Sequence, residues 1–417
     1  MRVRRCAVVY IEPREHAGFD LGSLLAGGGG AVRRQGWIAH APHLPGEVVL
    51  DIAEVECLGR LSPREWAEPG ILGAASTALP KLLECGLVLA EGEAGGDEAN
   101  LRDSHWWPPA AMLHRASRWR GCDAAAATEA AGLATAEGLR SNLGSPPPAV
   151  VARAIPEDRV PLPRAAGAGF DELLKRRATC RNFASRPLSA EVLGAMMQRV
   201  FSAQETWQVE DDTVFLKKGS PSGGGLHPTE AYLIVQDVEG LASGLYHYHP
   251  VQHALEPMPA SVDSLEELAL RTVAGQHWFA NAPAMVAMAT RFGRCFWKYR
   301  RHPKAYRAVT MDVGHLSQTL YLAATDLGLG AFVTCATNEA DIEQALGLDP
   351  LEEGVMAIGG FGWRGHVMDN ARVDPAGQET DDQDRVGEAK QEDAGIEDRR
   401  KNLRATRQEG QRDPARE

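Results

Sequence analysis

Residues 304–327 carry a helical pattern that leaves few options for the fold. Apolar residues recur there at steps of three and four over about five turns, and glycines follow: Val309, Val313, Leu316, Leu320, Ala323 and Leu327, then Gly328 and Gly330. Apolar runs typical of buried strands lie on both sides of this helix, in AYLIVQ, AMVAMAT, AFVTCAT and EEGVMAIGGFG. The combination predicts an α+β fold, in which helices surround a mixed sheet.

Shorter patterns in the same part of the chain add further elements. FDELLKRRATC begins a helix, and SAEVLGAMMQRVF predicts another, with Ser189 as its N-cap and Leu188 packing onto Leu193 across the cap. GLYHYHPVQHALEPM predicts a hairpin that turns at HPVQ, and EADIEQALG predicts a helix.

Composition divides the chain into four parts. Residues 145–169 are rich in proline and glycine and predict a linker between a first region, 1–144, and a main domain, 170–366. No aromatic residue follows Trp363, and the charged segment 367–417 predicts a disordered tail. In the first region, LPKLLECGLVLAE is typical of the last helix and wing of a winged helix, and a small helical domain is the alternative. We expect this region to capture a peptide or a partner, or to support a dimer.

Charge and cysteine content restrict the class of protein. The chain has 417 residues with 44 Lys and Arg against 56 Asp and Glu, a net charge of -12, which argues against general nucleic-acid binding. The 7 cysteines form no Cys-x-x-Cys pair, so neither a disulfide framework nor a zinc site is indicated, and a reducing cytoplasm is expected. No signal peptide or membrane span is apparent.

Two short segments are the strongest candidates for binding a ligand. GSPSGGGLHPTEAYLIV places three glycines before a strand, which indicates a sharp bend or close approach of the backbone to a ligand. LLKRRATCRNF, if helical, places Arg177 and Arg181 on one face with Thr179 nearby, an arrangement that suits a phosphate. A solvated basic face is the alternative interpretation of the second segment.

Taken in order, several segments resemble the nitroreductase superfamily, and more narrowly its SagB-type branch of peptide maturation dehydrogenases. These segments are RRATCRNF, SPSGGGLHPTEAYLIV, GLYHYHPVQHALE, AYRAVTMDVGHLSQTLYLAATDLGLGAFV and AIGGFG. The tryptophan-histidine stretch WWPPAAMLHRASRW, upstream of the main domain, is also similar to that branch. The resemblance implies a nitroreductase-like FMN domain in a homodimer, with thiazole- or oxazole-forming chemistry on a ribosomally made peptide.

The resemblance also implies a set of FMN-binding residues. Arg177, Thr179 and Arg181 match the phosphate-binding motif, with Thr in place of Ser and Ala178 in place of an arginine. The backbone of a Pro-Ser-x-Gly stretch lies against the flavin in the family, and the stretch after the long helix offers N–H groups to it. The matching residues are Pro221, Ser222, Gly223 and Gly224 for the former, and Thr334 and Cys335 for the latter.

Lys298 and Tyr299 match a Lys-Tyr pair proposed as the base in the SagB-type branch. Aromatising an azoline ring removes a Cα proton together with a hydride, so a base is required. Burial, or the neighbouring Arg294, Arg300 and Arg301, would lower the pKa of Lys298 and free it to accept the proton. The alternative is that Lys298 lies in an ordinary basic loop.

Histidines and cysteines offer weaker candidates. His247 and His249 share one side of a strand, so with His253 they could bind a metal, but the same hairpin binds no metal in the family and we expect none here. Cys335 could act as a nucleophile, although no Cys-His arrangement accompanies it.

Three functions remain open from the sequence. The first is an FMN-dependent oxidoreductase that converts azolines to azoles, with a precursor peptide and a cyclodehydratase as partners and neither nucleic acid nor membrane. The second is a stand-alone NAD(P)H-dependent flavin nitro or ene reductase, against which the long first region and the Lys-Tyr pair argue. The third is a non-catalytic flavin-fold subunit of a maturation complex, an option that Ala178 and the GFG ending keep open.

Overall fold

The computed structural model describes residues 1–92, 96–164, 167, 169–259, 262 and 264–366. The segment 367–417, which we predicted to be a disordered tail, lies outside the described residues. Residues 145–164, in the predicted linker, are exposed and form only one short 3-10 turn, Pro156–Asp158. No described helix has the length and apolar character needed to cross a membrane.

The first part of the chain builds small sheets and short helices. In chain order these are β1 (Val3–Arg5), β2 (Tyr10–Phe19), α1 (Leu21–Leu25), β3 (Ala31–His40), β4 (Val48–Leu50), α2 (Ile52–Arg60), α3 (Leu79–Glu84), β5 (Val88–Ala90), α4 (Gly96–Asp103), α5 (Pro108–Ala116), α6 (Ala124–Ala130) and α7 (Ala136–Leu143). A 3-10 segment, Pro69–Ala78, precedes α3. Strands β2, β3 and β4 form one sheet, and β1 pairs with β5. The helix and strand expected in LPKLLECGLVLAE are α3 and β5.

The main part of the chain alternates helices and strands. Its elements are α8 (Gly169–Arg176), α9 (Ala190–Val200), β6 (Ala203–Glu210), β7 (Thr213–Lys218), β8 (Thr229–Val235), β9 (Gly244–His249), β10 (Ala254–Pro257), α10 (Leu265–Thr272), α11 (His277–Ala280), β11 (Ala284–Arg291), α12 (Phe292–Lys298), α13 (Ala305–Asp326), β12 (Gly330–Thr334), α14 (Glu339–Leu346) and β13 (Glu353–Gly362). The predicted long helix is α13, and the predicted hairpin is β9–β10.

A six-stranded sheet forms the centre, in the order β10-β9-β8-β11-β13-β12. Its neighbouring strands pair antiparallel, and a parallel bridge between Thr179 and Ala331 at the β12 edge gives the sheet its mixed character. The predicted α+β fold is therefore confirmed.

Both faces of this sheet are covered. Alternate residues of β8 face opposite sides: Leu233 packs in the cluster that contains α9 and α13, and Ile234 packs in the cluster that contains α10, α11 and α14. The oxygen of Ser189 accepts a hydrogen bond from the Val192 amide, so Ser189 caps α9 as predicted. Leu188 and Leu193 share the first of these clusters.

Part of the first region packs directly into the main domain. The Trp106 indole donates to the Leu351 carbonyl at 2.9 Å, and His114 Nε2 lies 2.8 Å from the Pro350 carbonyl. Both rings pack against Phe292 and Tyr306, in tilted and edge-to-face arrangements, within one buried cluster. The stretch that resembles the tryptophan-histidine motif thus anchors the first region on α12 and α13.

Candidate functional site

A buried carboxylate on α13 holds the glycine-rich loop. Asp312, only 5% exposed, accepts a 2.5 Å hydrogen bond from the Ser222 hydroxyl and a 2.9 Å bond from the Gly223 amide. The Ser222 oxygen in turn accepts from the His227 amide at 2.9 Å. The sequence analysis missed Asp312. One feature of the sequence could have indicated it: Asp312 is a single acid within the apolar stripe, three residues after Val309. A charge buried at such a position needs a partner.

The Lys-Tyr pair, at the end of α12, lies beside the glycines of the same loop. Gly224 has φ +68°, and a Cβ atom placed on it would lie 2.6 Å from Tyr299 Oη and 2.8 Å from Lys298 Nζ. Lys298 Nζ also lies 5.5 Å from the Tyr299 ring centroid. A side chain at position 224 would displace both groups, so the Pro-Ser-Gly-Gly stretch and the Lys-Tyr pair lie side by side.

The environment of Lys298 differs from the expectation that burial would lower its pKa. The Lys298 side chain is exposed at the end of α12. The Arg294 guanidinium donates to the Leu226 and Val214 carbonyls at 3.2 and 2.6 Å, and Arg300 donates to the Trp297 carbonyl at 3.3 Å. The expected burial was wrong for the described chain, because α12 ends at the surface.

Arg177, Thr179 and Arg181 do not share a helical face, so this part of the sequence interpretation was wrong. Helix α8 ends at Arg176, and the chain then extends beside β12, where the Cys180 amide donates to the Ala331 carbonyl at 2.8 Å. Alternate residues of an extended segment face the same side. Cys180 is accordingly buried, while the three predicted residues are half-buried on the other side.

Tyr321 links this extended segment to α13 and β12. Its hydroxyl accepts from the Val333 amide at 3.0 Å and lies 3.3 Å from Thr179 Oγ1, and the Arg177 guanidinium lies 5.5 Å from its ring centroid. The sequence analysis did not single out Tyr321. Since Asp312 and Tyr321 lie nine residues apart on one helix, the glycine loop and the arginine segment are about 14 Å apart along its axis.

Thr334 and Cys335 follow directly on β12. Thr334 Oγ1 accepts from Gln276 Nε2 at 3.3 Å and from the Ala336 amide at 3.2 Å, which fixes the turn after the strand. The Cys335 side chain is exposed, but the protein around its thiol removes part of its solvation, and this, together with the charge of Glu339, raises the pKa of Cys335. A raised pKa disfavours the thiolate and with it a nucleophilic role.

Two further groups line a small cavity of about 10 Å³ beside Asp312, and the sequence analysis missed both. Lys218 is buried at the end of β7, and this burial lowers its pKa. The charge of Glu230 opposes the shift, and the charge of Arg291 adds to it. Burial and the nearby Lys218 also lower the pKa of His227 to about 4, so this imidazole is neutral near pH 7. Lys218 ends a strand whose other residues are exposed or half-buried, and His227 lies in the loop before β8, so no local pattern of the sequence marked either group.

The histidines of the β9–β10 hairpin are held by protein groups. His247 lies 2.7 Å from Glu256 and 3.4 Å from Glu230, and His253 Nδ1 lies 2.7 Å from the Tyr248 hydroxyl. Within the described ranges no cluster of three or more potential metal ligands occurs.

Comparison with known proteins identifies the main domain. The model of the nitroreductase family matches residues 174–363. The protein MJ1384 of Methanocaldococcus jannaschii, named as a nitroreductase, is 33% identical over 189 residues, which cover 45% of this chain and 89% of that protein.

Two peptide-processing proteins are also similar. The trifolitoxin-processing protein TfxB of Rhizobium leguminosarum is 30% identical over 41% of this chain and 46% of its own length. The microcin B17-processing protein McbC of Escherichia coli is 25% identical over 42% of this chain and 62% of its own length. The chain therefore spans about half of the length of TfxB.

Among solved structures, the E. coli microcin synthetase McbBCD complex with truncated pro-MccB17 bound gives a TM-score of 0.48 at 19% identity, over 66% of this chain and 98% of that one. The match to MJ1384 covers nearly all of that protein, and the family model covers the whole central sheet. The chain belongs to the nitroreductase family.

Proposed function

We propose that this protein is an FMN-dependent dehydrogenase that oxidises thiazoline or oxazoline rings to azoles on a ribosomally synthesised peptide. The observation that carries the proposal is the contact between the Gly224 backbone and the Lys298–Tyr299 pair. This contact supports the proposal, because the loop that it joins to Lys298 is the one expected to lie against the flavin. The similarity to two proteins named for processing trifolitoxin and microcin B17 supports a peptide as the substrate.

The residues of the site fit FMN at both of its ends. Arg177, Thr179 and Arg181 would hold the phosphate, since guanidinium groups and a hydroxyl suit its oxygens. At the other end, about 14 Å along α13, glycine backbone leaves room for a flat ring. The ring end would contact Pro221, Ser222, Gly223 and Gly224. Thr334 and Cys335 follow Val333, whose amide donates to Tyr321 beside the arginine segment, so they would meet the cofactor from that side.

Lys298 would act as the base. When bound, FMN accepts the hydride that leaves the azoline ring together with its electron pair. The accompanying Cα proton would pass to Lys298 Nζ in its unprotonated form, so the azoline loses two hydrogens in all. Tyr299, whose hydroxyl lies beside the same glycine, would orient the amine and the ring.

The proposed partners are a precursor peptide, a cyclodehydratase that makes the azolines, and a second copy of this chain. Large apolar side chains of the main domain are exposed: among them, Trp207 on the β6–β7 hairpin is 72% exposed, and Met311, next to Asp312 on α13, is 62% exposed. Exposed apolar surface marks interaction sites where it forms a contiguous patch. We expect the homodimer to cover it, and we expect the protein to act in the cytoplasm.

The test is mass spectrometry of an azoline-bearing peptide incubated with the flavin-loaded enzyme. We expect a loss of two hydrogens per ring, abolished in Lys298→Ala but retained in Lys304→Ala, which removes an exposed lysine at the start of α13. Oxidation that persists in Lys298→Ala would show that Lys298 is not the base. No oxidation by the wild-type enzyme would refute the dehydrogenase proposal.

A stand-alone nitro or ene reductase is the second candidate, and the 89% coverage of MJ1384 favours it. A reductase of this class bleaches its flavin rapidly with NADPH, whereas the azoline dehydrogenase takes its electrons from the peptide. Stopped-flow absorbance after mixing with NADPH separates the two. A protein that never holds flavin would instead be a non-catalytic subunit.

A further inference from the structure

A second cavity, which shares no lining residue with the one beside Asp312, lies where the first region meets the main domain. It is a cleft of about 680 Å³, within the range of ligand-binding pockets. Its walls are the segment 40–47, the end of α5 with the residues after it, and α14 with the loop that follows. Its lining includes His43, Leu44, Met112, Arg115, Arg118 and Arg120.

Three arginines enter this cleft from one short segment. Arg115 Nε donates to the Leu44 carbonyl at 2.9 Å, and Arg120 Nη1 donates to Gln344 Oε1 at 2.6 Å. Arg118, with a side chain only 6% exposed, pairs with Glu343. Its Nε is buried and has no hydrogen-bond partner in the part of the chain that the structure describes.

The walls carry three arginines and three acids, but two of these acids already have other partners. Glu47 is already paired with Arg14 at 2.7 Å, and Glu343 is shared between Arg118 and the Val355 amide. Exposed Asp97 is the remaining acid on the wall. Burial, followed by the charge of Arg120, lowers the pKa of Arg115. Burial, followed by the charge of Arg115, lowers the pKa of Arg118 to about 10. Asp97 opposes the shift of Arg115, and Glu339 and Asp349 oppose that of Arg118. Burial is the largest cause for both arginines, so a carboxylate that entered the cleft would stabilise their charged forms.

The cleft also offers an acceptor and apolar surface. His43 Nε2 lies 3.0 Å from the Gly86 carbonyl, which makes it the donor and leaves Nδ1 as an acceptor. Nδ1 is buried and without a partner among the described residues. Leu44, Met112 and Trp119 supply apolar contacts on the same walls. Guanidinium donors, one acceptor and apolar side chains together match a peptide, which carries carboxylates, N–H groups and side chains, better than inorganic phosphate.

We propose that this cleft binds a short peptide segment in which carboxylate side chains alternate with apolar ones. Binding here requires neither flavin nor oxidation. It can therefore hold or fail independently of the proposed dehydrogenase activity.

Fluorescence anisotropy tests the proposal on the full chain. The probes are a fluorescein-labelled octapeptide of alternating glutamate and leucine, and its counterpart with glutamine in place of glutamate. We expect the glutamate peptide to bind at least about 10-fold more tightly, and Arg115→Gln or Arg120→Gln to weaken it by about 10-fold each, since a charge-assisted hydrogen bond is removed. Arg140→Gln, on exposed α7, is the matched control and should bind as the wild type does.

Three results would overturn the proposal: equal binding of the two peptides, unchanged binding by both arginine variants, or displacement of the probe by millimolar inorganic phosphate as effectively as by unlabelled peptide. The last would indicate a simple anion site. Arg120 is exposed and its replacement leaves the fold intact, so its variant decides the outcome if Arg115→Gln proves unstable.

Discussion

Replacing Gly224 by alanine tests whether the glycine loop and the Lys-Tyr pair act as one site. Gly225 is a close control, because it has φ +69° against +68° for Gly224, yet a Cβ placed on it meets nothing within 4 Å. The left-handed conformation costs a non-glycine residue about 1–2 kcal/mol, so both alanine variants should lose a similar amount of stability. They differ only in what the new methyl group touches.

The expected effect on activity follows from the distances. In Gly224→Ala the methyl group would lie 2.6 Å from Tyr299 Oη and 2.8 Å from Lys298 Nζ. Ordinary contact is about 3.5 Å or more, so both groups must move by about 1 Å. A displacement of this size can reduce a reaction rate about 100-fold.

The assay combines urea unfolding with turnover of an azoline-bearing peptide. We expect similar unfolding free energies for the two variants, a rate near that of the wild type for Gly225→Ala, and a rate about 100-fold lower for Gly224→Ala. Equal turnover by the two variants would refute the reasoning, since contact with Lys298 and Tyr299 would then not matter.

Three further predictions test the arginine segment, a buried histidine and the exposed apolar surface. Arg177→Gln should weaken FMN binding about 10- to 150-fold, because a charge-assisted hydrogen bond is lost. Arg176→Gln, at the exposed end of α8, should leave the affinity for FMN unchanged. Equal affinities of the two variants in fluorescence titration would exclude Arg177 from the phosphate site. Burial is the main cause, and the charge of Arg118 the second, that lowers the pKa of His114 from 6.5 to about 3. Between these two values the unfolded chain binds a proton that the native protein does not. The free energy of unfolding therefore falls as the pH drops from 6.5 toward 3. Urea unfolding should show the wild type losing about 2 kcal/mol more than His114→Gln between pH 7 and pH 5, and parallel losses would contradict this origin. Met311→Glu should shift the protein from dimer to monomer in sedimentation equilibrium, whereas Leu139→Glu, on α7, should leave the dimer intact. If the dimer survives Met311→Glu, the interface lies elsewhere.

The elements that the sequence predicted are those with a strong local period. Helix α13 buries one stripe of residues, and strands β8 and β11 bury nearly every residue. Their apolar patterns are therefore unambiguous. The β6–β7 hairpin was missed because most residues of β6 are exposed and show no alternation. The extended conformation after Arg176 depends on pairing with Ala331, about 150 residues further along the chain, which no local pattern reveals.

The candidate site could be predicted only in part for the same reason. The resemblance to the family located the glycine loop, the arginine segment and the Lys-Tyr pair, but their proximity depends on tertiary packing. Asp312 could have been found as the one acid in an apolar stripe. Lys218 could not, because a lysine at the end of a largely exposed hairpin gives no sign of burial.

The flavin content of the purified protein tests the central claim most directly. After loading with FMN and gel filtration, we predict a yellow protein with one FMN released per chain on denaturation, and a markedly lower content in the Arg177→Gln variant. A colourless wild-type protein that does not retain added FMN would contradict the account.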